Sequence, residues 1–362
     1  MALRVHDKST KSFNEVAFPV ITNLAVAEGP YPTYWRSTRP TVTKTSVTIP
    51  AGVMVDINGK TYTKVTETVL DLSGISVTDR TAKDVYIYAC EPTVGIEPVF
   101  VLSLNSTTPT GYNADNSRKI GGFHCLCVDV GTISGHTLSG YVAGDILPAS
   151  IWDLLHRPKS EPEGMVYVEP IDRWVDIYLA SYDGSQLRSI YGGTCADGTS
   201  TVKFHGEKFN EEFAKIKKHN IFRDHFVIAA WNSNKRTAIM GAADAGTTGG
   251  HVDTAGRRMI SDWGVEDACG FMWQWNELIG AGDTSGWDNT PYTGYANGVY
   301  QSTVDPESYG DDYGSLFRLR AGGDWGDSSH CGPRAVTLSL VSSYVNADLG
   351  GRGASEPRTR FV

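Results

Sequence analysis

The 362-residue chain lacks any apolar run near the roughly 20 residues that a membrane-spanning helix needs. Lysine and arginine form no dense cluster and the formal net charge is −9, which argues against binding to a nucleic-acid backbone. The first residues contain no apolar segment typical of a secretory signal. We therefore expect no nucleic-acid partner, no membrane insertion and synthesis in the cytoplasm.

Cysteine is scarce, and its spacing does not match a zinc site. Cys125 and Cys127 stand beside His124, but a metal site needs a second pair of ligands, and the sequence offers none. We expect buried free thiols, no metal and no cofactor. The six residues are Cys90, Cys125, Cys127, Cys195, Cys269 and Cys331.

Glycine and large aromatic residues are abundant, with 39 glycines, 17 tyrosines and 9 tryptophans. Such a composition fits loop-rich β architecture, and tyrosine and tryptophan supply contact area at a low entropy cost. The chain therefore suits a binding protein with a β scaffold.

Three segments differ in pattern. Residues 1–40 are proline-rich and irregular, which predicts an attachment arm or, alternatively, a first strand and a surface loop. Residues 41–149 alternate apolar and polar side chains, and Asn58-Gly59 is a strong hairpin signal. This pattern predicts a small β-sandwich.

Residues 150–362 predict a loop-heavy α+β domain. Residues 150–156 suit one or two helical turns, and residues 207–219 have the apolar spacing of an amphipathic helix whose lysines form a solvated face. Asp224 is a candidate cap for a second helix that ends near Trp231.

The last forty residues, 321–360, combine glycine-anchored motifs with a row of small polar side chains. If the chain is extended here, side chains alternate between two faces. Trp325, Arg334 and Arg352 are then expected inside a rigid frame, with the Arg334→Ala change harming folding. The polar side chains expected to be displayed are Asp324, Gly326, Ser328 and His330 on one face and Tyr344, Asn346 and Asp348 on another.

Several short motifs occur in one order along the chain. They are Trp263-Gly264, Cys269-Gly-Phe-Met-Trp-Gln-Trp-Asn-Glu277, Gly322-Gly-Asp-Trp325, Gly332-Pro-Arg-Ala335 and Gly351-Arg-Gly353. The chain resembles the C-type-lectin-like domain shared by formylglycine-generating enzymes and the target proteins of diversity-generating retroelements, which include phage receptor-binding proteins. The resemblance extends over residues 45–362, and it departs from the family at residues 1–40 and 220–224.

This resemblance implies a non-enzymatic homotrimer at the tip of a phage tail fibre. Its partners would be a host cell-surface receptor, protein or glycan, and other tail-fibre proteins that contact the N-terminal region. A fixed backbone with exchangeable side chains lets the partner change without refolding. The receptor-binding positions that the resemblance implies are Asp324, Gly326, Ser328, His330, Thr337, Ser339, Leu340, Tyr344, Asn346, Asp348 and Leu349.

Three alternatives remain beside this function. A formylglycine-generating enzyme needs a pair of reactive cysteines near the Gly-Gly-x-Trp motif, where this chain has Cys331 alone. A calcium-dependent lectin has oxygen ligands available in residues 305–312, but a solvated acidic loop is the better explanation of them, so a structural Ca²⁺ is possible but not predicted. A retroelement-diversified bacterial or archaeal surface protein would share the same lectin-like domain.

Overall fold

The computed structural model describes residues 3–7, 12–16, 41–231, 246–282, 315–327 and 330–358. This part of the chain is mostly β with few helices. The helices are α1 (Val77–Arg80), α2 (Gly206–Lys215) and α3 (Arg223–Ala229), with 3₁₀ turns at Leu72–Gly74, Pro148–Ser150 and Glu169–Ile171. The strands are β1 (Leu3–Asp7), β2 (Ser12–Val16), β3 (Thr41–Val42), β4 (Ser46–Ile49), β5 (Val53–Ile57), β6 (Lys60–Lys64), β7 (Thr68–Asp71), β8 (Asp84–Cys90), β9 (Val99–Ser103), β10 (Ser117–His124), β11 (Trp152–Asp153), β12 (Met165–Val168), β13 (Arg173–Asp176), β14 (Ala180–Tyr182), β15 (Leu187–Ser189), β16 (His219–Asn220), β17 (Trp273–Gly282), β18 (Ser315–Gly322), β19 (Gly332–Thr337), β20 (Leu349–Gly351) and β21 (Gly353–Ser355).

Strands β3 to β11 form two layers around one apolar core. One layer contains the sheet β3-β4-β7 and the hairpin β5-β6, and the other is the sheet β11-β10-β8-β9. Alternate side chains of β4 and β5 are buried, as the period of a half-buried strand requires. Side chains from both layers share this core, among them Val47, Ile49, Val53, Val55, Val85, Ile87, Ile120 and Phe123.

The hairpin predicted at Asn58-Gly59 is confirmed. Ile57 pairs with Lys60 across a two-residue turn, and Asn58 and Gly59 have φ of 49° and 77°. Positive φ at both central positions defines the type I′ turn, whose twist matches that of the two strands.

The C-terminal strands close two further sheets. Strand β21 pairs with β13 and β16 in the sheet β12-β13-β21-β16, and β20 pairs in parallel with β17 in the sheet β19-β18-β17-β20. Because β20 and β21 are separated by one residue, Arg352, the end of the chain joins the two sheets.

Helix α2 is shorter than predicted. It buries Phe209 and Phe213 as expected, but it ends at Lys215, and Lys217 has a positive φ of 59°, which a helix cannot continue through. The chain then turns so that Lys218 is buried and its Nζ lies 2.6 Å from Asp176 Oδ1. The expectation of a fully solvated lysine face is therefore wrong for Lys218.

Two other local predictions are corrected. The N-cap of α3 is Phe222, so Asp224 lies in the first turn of that helix rather than capping it. Only the start of residues 150–156 is helical, because β11 follows and pairs with β10. Gly122 makes this possible, since a Cβ there would lie 2.9 Å from the Trp152 ring.

All six cysteines are buried and free, which confirms the expectation. Cys125 and Cys127 lie in two different apolar clusters, so their side chains do not form a common corner. Among the described residues, no group of three or more histidine, cysteine or acidic side chains is placed to hold a metal ion. No helix in that same part of the chain is long and apolar enough to cross a membrane.

Candidate functional site

Arg352 is the centre of a buried frame beneath the C-terminal segment. Its guanidinium donates to the backbone oxygens of Asp176 at 2.8 Å, Ile177 at 2.7 Å and Glu266 at 2.6 Å. Its Nε donates to Gln274 Oε1 at 2.9 Å, and the side chain is fully buried. The prediction that Arg352 lies inside a rigid frame is confirmed. We call these five residues the buried frame.

Arg334 differs from this prediction, because its side chain is exposed. Strand β19 lies at the edge of its sheet and alternates half-buried and exposed side chains. One face of such a strand is open to solvent. Arg334 lies on the open side, and it is not part of the buried frame.

Residues 324–327 form a tight turn rather than the extended chain that the alternation assumed. Asp324 Oδ1 accepts from the Gly326 amide at 2.6 Å, and Asp327 Oδ2 accepts from the Asp324 amide at 2.9 Å. Aspartate favours such turns because its carboxylate replaces a backbone acceptor. Gly326 and His330 are exposed and Asp324 is half-buried, whereas Ser328 lies outside the described residues.

Thr337 and Ser339, at the end of the neighbouring strand β19 and just beyond it, present hydroxyl groups. Thr337 pairs with Arg320 in the strand register, and Thr337 Oγ1 lies 3.0 Å from Ser339 Oγ. Leu340 is half-buried against an apolar cluster that includes Trp275. Leu340 therefore contributes packing as well as part of its surface.

Residues 341–348 form a turn that carries the largest exposed side chain among the predicted positions. The Tyr344 amide donates to Val341 O at 3.0 Å, and 41% of Tyr344 is exposed. Asn346 is exposed, and its backbone oxygen accepts from the Gly198 amide at 3.0 Å. The turn is thus fixed through its backbone, and the side chains of Tyr344 and Asn346 are exposed.

Leu349 is a correction to the predicted positions. Its side chain is fully buried in a cluster with Phe209 and Trp275. The backbone pairing of β20 with β17 draws it into the core, so it is not available to a partner in this structure. We define the face as the predicted positions that are exposed or half-buried, leaving out Leu340 because it packs against the apolar cluster: Asp324, Gly326, His330, Thr337, Ser339, Tyr344, Asn346 and Asp348.

Arg320, which the sequence reasoning missed, lies at the centre of this face. Its guanidinium carbon lies 5.2 Å from the centroid of the Trp273 ring, and its Nη2 donates to Ser339 Oγ at 3.1 Å. Burial lowers the pKa of Arg320, and the charges of nearby Asp348 and Asp324 oppose that shift. The sequence feature that could have identified Arg320 is an arginine at an inward-facing position of a buried strand.

Asp348 and Asp324 approach each other on the face. Burial, followed by the nearby Asp324 carboxylate, raises the pKa of Asp348 to about 6, while the Arg320 cation acts in the opposite direction. The backbone oxygen of Asp348 accepts from the Trp273 amide at 2.8 Å. Two parts of the segment that are distant in sequence therefore meet near the same cation, the Arg320 guanidinium.

Cys331 shows why this site does not favour thiol chemistry. Its Sγ donates to Asp324 O at 3.1 Å, and burial together with nearby Asp327 and Asp324 raises the pKa of the thiol to about 12. A thiol is a nucleophile and a metal ligand in its ionised form, so this residue is unreactive near neutral pH. The arrangement offers hydroxyl, carboxylate and aromatic groups for binding.

A cleft of about 1120 Å³ lies elsewhere in the molecule. It is lined by residues of both regions of the chain, including Arg157, Arg173, Trp174, Trp263 and Arg358. Its lining residues include no member of the face. The predicted face is therefore not part of this cleft.

The sequence matches a known family model and a known phage protein. Residues 38–153 match the family model described as the Mtd second domain. The chain is 28% identical over 334 residues to the tail fiber receptor-binding protein of Bordetella phage BPP-1, covering 86% of this chain and 80% of that protein.

Solved structures support the same fold. The M1 and P3c variants of the Major Tropism Determinant each match with a TM-score of 0.70 and 24% identity. Each comparison covers 98% of this chain and 92% of the solved chain. The likeness therefore extends over nearly the whole fold, while the side chains have largely diverged.

Proposed function

We propose that this chain, which is similar in sequence and fold to the phage tropism determinants, is a tail-fibre receptor-binding protein. It binds a host cell-surface receptor, protein or glycan, through the face and catalyses no reaction. The observation that carries this proposal is the convergence of exposed and half-buried side chains from three turns around Arg320. A partner would meet varied side chains on a preorganised backbone.

The same proposal includes the domain boundaries, the attachment region and the oligomeric state. Residues 41–149 form the β-sandwich domain, and residues 150–362 form a C-type-lectin-like domain that carries the face. Residues 1–40 attach the protein to other tail-fibre proteins, and the protein functions as a homotrimer at the virion tail tip. Three copies of one face would add avidity to a weak single contact.

Tyr344 is the residue with which to test the function. An aromatic side chain that is 41% exposed on the face is a strong candidate anchor. We expect Tyr344→Ala to weaken binding of the labelled protein to whole host cells by about 30-fold, corresponding to about 2 kcal/mol. The melting temperature should remain close to that of the parent.

Tyr191 provides the matched control, because it is 42% exposed and lies outside the face. Tyr191→Ala should leave cell binding within about twofold, a small effect on the usual affinity scale. Equal loss of binding in the two variants, or full binding by Tyr344→Ala, would contradict the proposed face.

Diversification is tested at the gene. We expect a near-copy of the codons for residues 321–353, differing mainly at adenines, beside a reverse transcriptase gene. Tail genes without that copy would leave a receptor-binding protein with a fixed face. A locus with neither would favour the bacterial or archaeal surface protein.

A further inference from the structure

Three turns of the face approach one buried cation. Arg320 is 8% exposed and projects from the middle of its sheet, since β18 lies between β19 and β17. The groups that its charge reaches are Asp324, Asp327, Tyr344 and Asp348, in addition to the hydrogen-bonded hydroxyl of Ser339. These groups belong to segments 324–327, 337–339 and 344–348.

Trp273 fixes the position of this cation. The guanidinium lies against its ring, while the backbone amide of the same tryptophan donates to Asp348 O at 2.8 Å. One residue of β17 therefore sets the location of both the cation and an aspartate backbone. An arginine that stacks on an aromatic ring loses little additional freedom when it also donates hydrogen bonds.

We propose that Arg320 is the positioning residue of the face, an inference that rests on the proposed function. Seated on the Trp273 ring, it holds the Ser339 hydroxyl by a hydrogen bond and the Asp324 and Asp348 carboxylates by charge. The three turns thereby present one arrangement to a partner. Arg320 is too buried to be a principal contact, and its effect on binding passes through these side chains.

Arg318 provides a matched control on the same strand. It is fully buried, but its Nη1 donates to Gly206 O at 2.9 Å, and the charges that act on it are Glu277 and Glu207. Loss of Arg318 therefore disturbs the same strand to a similar depth without removing the cation under the face.

The test is a carbon-detected NMR titration of the Asp348 carboxyl in the full chain. The groups that act on it are Asp324 and Arg320, with Asp327, His330 and Tyr344 on the neighbouring turns. Because an opposite charge favours the ionised carboxyl, Arg320→Gln should raise the Asp348 midpoint by about 1 pH unit. Arg318→Gln should leave the midpoint unchanged, and Arg320→Lys should restore most of the shift.

A second variant keeps the test decisive if Arg320→Gln does not fold. Trp273→Leu removes the ring under the guanidinium but leaves the cation, so the Asp348 midpoint should rise by less than in Arg320→Gln. A midpoint equal to that of the parent in the folded Arg320→Gln protein would overturn the proposal. So would no shift in Trp273→Leu, or an equal shift in Arg318→Gln.

Binding to whole host cells then separates this inference from the proposed function. We expect Arg320→Gln to weaken cell binding about tenfold, with Arg318→Gln within about twofold of the parent. If the parent itself does not bind cells, the proposed function fails while the titration still decides the role of Arg320. If the titration shifts but cell binding does not, Arg320 does not position the face for its partner.

Discussion

Arg352, the centre of the buried frame, and the face both belong to the last forty residues, but their side chains serve opposite purposes. Arg352 satisfies backbone carbonyls from separate segments inside the core, whereas Tyr344 and Asn346 are anchored through their backbones and expose their side chains. Buried polar groups are costly to leave without partners, while exposed side chains are cheap to exchange. The contrast separates the residues that hold the fold from the exposed ones to which the proposed function assigns binding.

The largest expected effect is at the frame. Arg352→Ala removes the guanidinium donor from the backbone oxygens of Asp176, Ile177 and Glu266, of which the Ile177 oxygen keeps the Glu266 amide as a donor. We expect the free energy of unfolding to fall by about 3–5 kcal/mol, measured by urea denaturation. Arg334→Ala, at an exposed arginine of the same segment, should change it by less than about 0.5 kcal/mol. Similar losses in both variants would remove the distinction between frame and face.

Substitutions at two glycines test the same comparison between core and surface, with a smaller expected loss of stability. A Cβ on Gly351 would lie 2.6 Å from Phe209 Cδ1 in the core, whereas a Cβ on Gly326 would meet Asp324 Oδ1 at 3.2 Å on the surface. We expect Gly351→Ala to lower stability by about 2 kcal/mol through overpacking, and Gly326→Ala to have little effect. Thermal unfolding of the pair checks this, and a larger loss in Gly326→Ala would contradict it.

The smallest expected effect is the pH dependence at Asp348. Its folded-state pKa, about 6, lies above the ordinary value of about 3.9, so the folded state binds more protons between these values. Stability from this group is therefore full at low pH and is lost as pH rises through about 6, by about 1 kcal/mol for a half-buried carboxyl.

The Asp348→Asn variant should lack this fall in stability between pH 4 and 7. An exposed control, Asp115→Asn, should retain it. Denaturant unfolding of the three proteins across this range makes the comparison. An identical pH profile in the parent and in Asp348→Asn would show that the approach of Asp324 and Asp348 has no energetic consequence.

The sequence predicted the parts of the fold that depend on local chemistry. Asn58-Gly59 determines its own turn, and the spacing of Phe209 and Phe213 predicted a helix in the right place. The end of that helix was wrong because Lys218 is drawn inward by Asp176, a residue 42 positions earlier. The boundaries of the regions at residues 41–149 and 150–362 stay predictions.

The face was only partly predictable. Alternation assumed an extended chain, but Asp324 and Asp327 close turns with their own carboxylates. Leu349 was misplaced because its burial depends on pairing with Trp273, far away in sequence. Arg320 was missed for a related reason, since an inward arginine acquires a role only when Trp273, Ser339 and Asp348 are brought to it.

The central claim is that the face can change its partner without refolding the chain. The most direct measurement combines Thr337→Ala, Ser339→Ala, Tyr344→Ala and Asn346→Ala in one protein and determines its unfolding free energy and its binding to host cells. We expect stability within about 1 kcal/mol of the parent, because these side chains are exposed or half-buried, and cell binding reduced to background. Retained cell binding, or loss of the folded state, would contradict the claim.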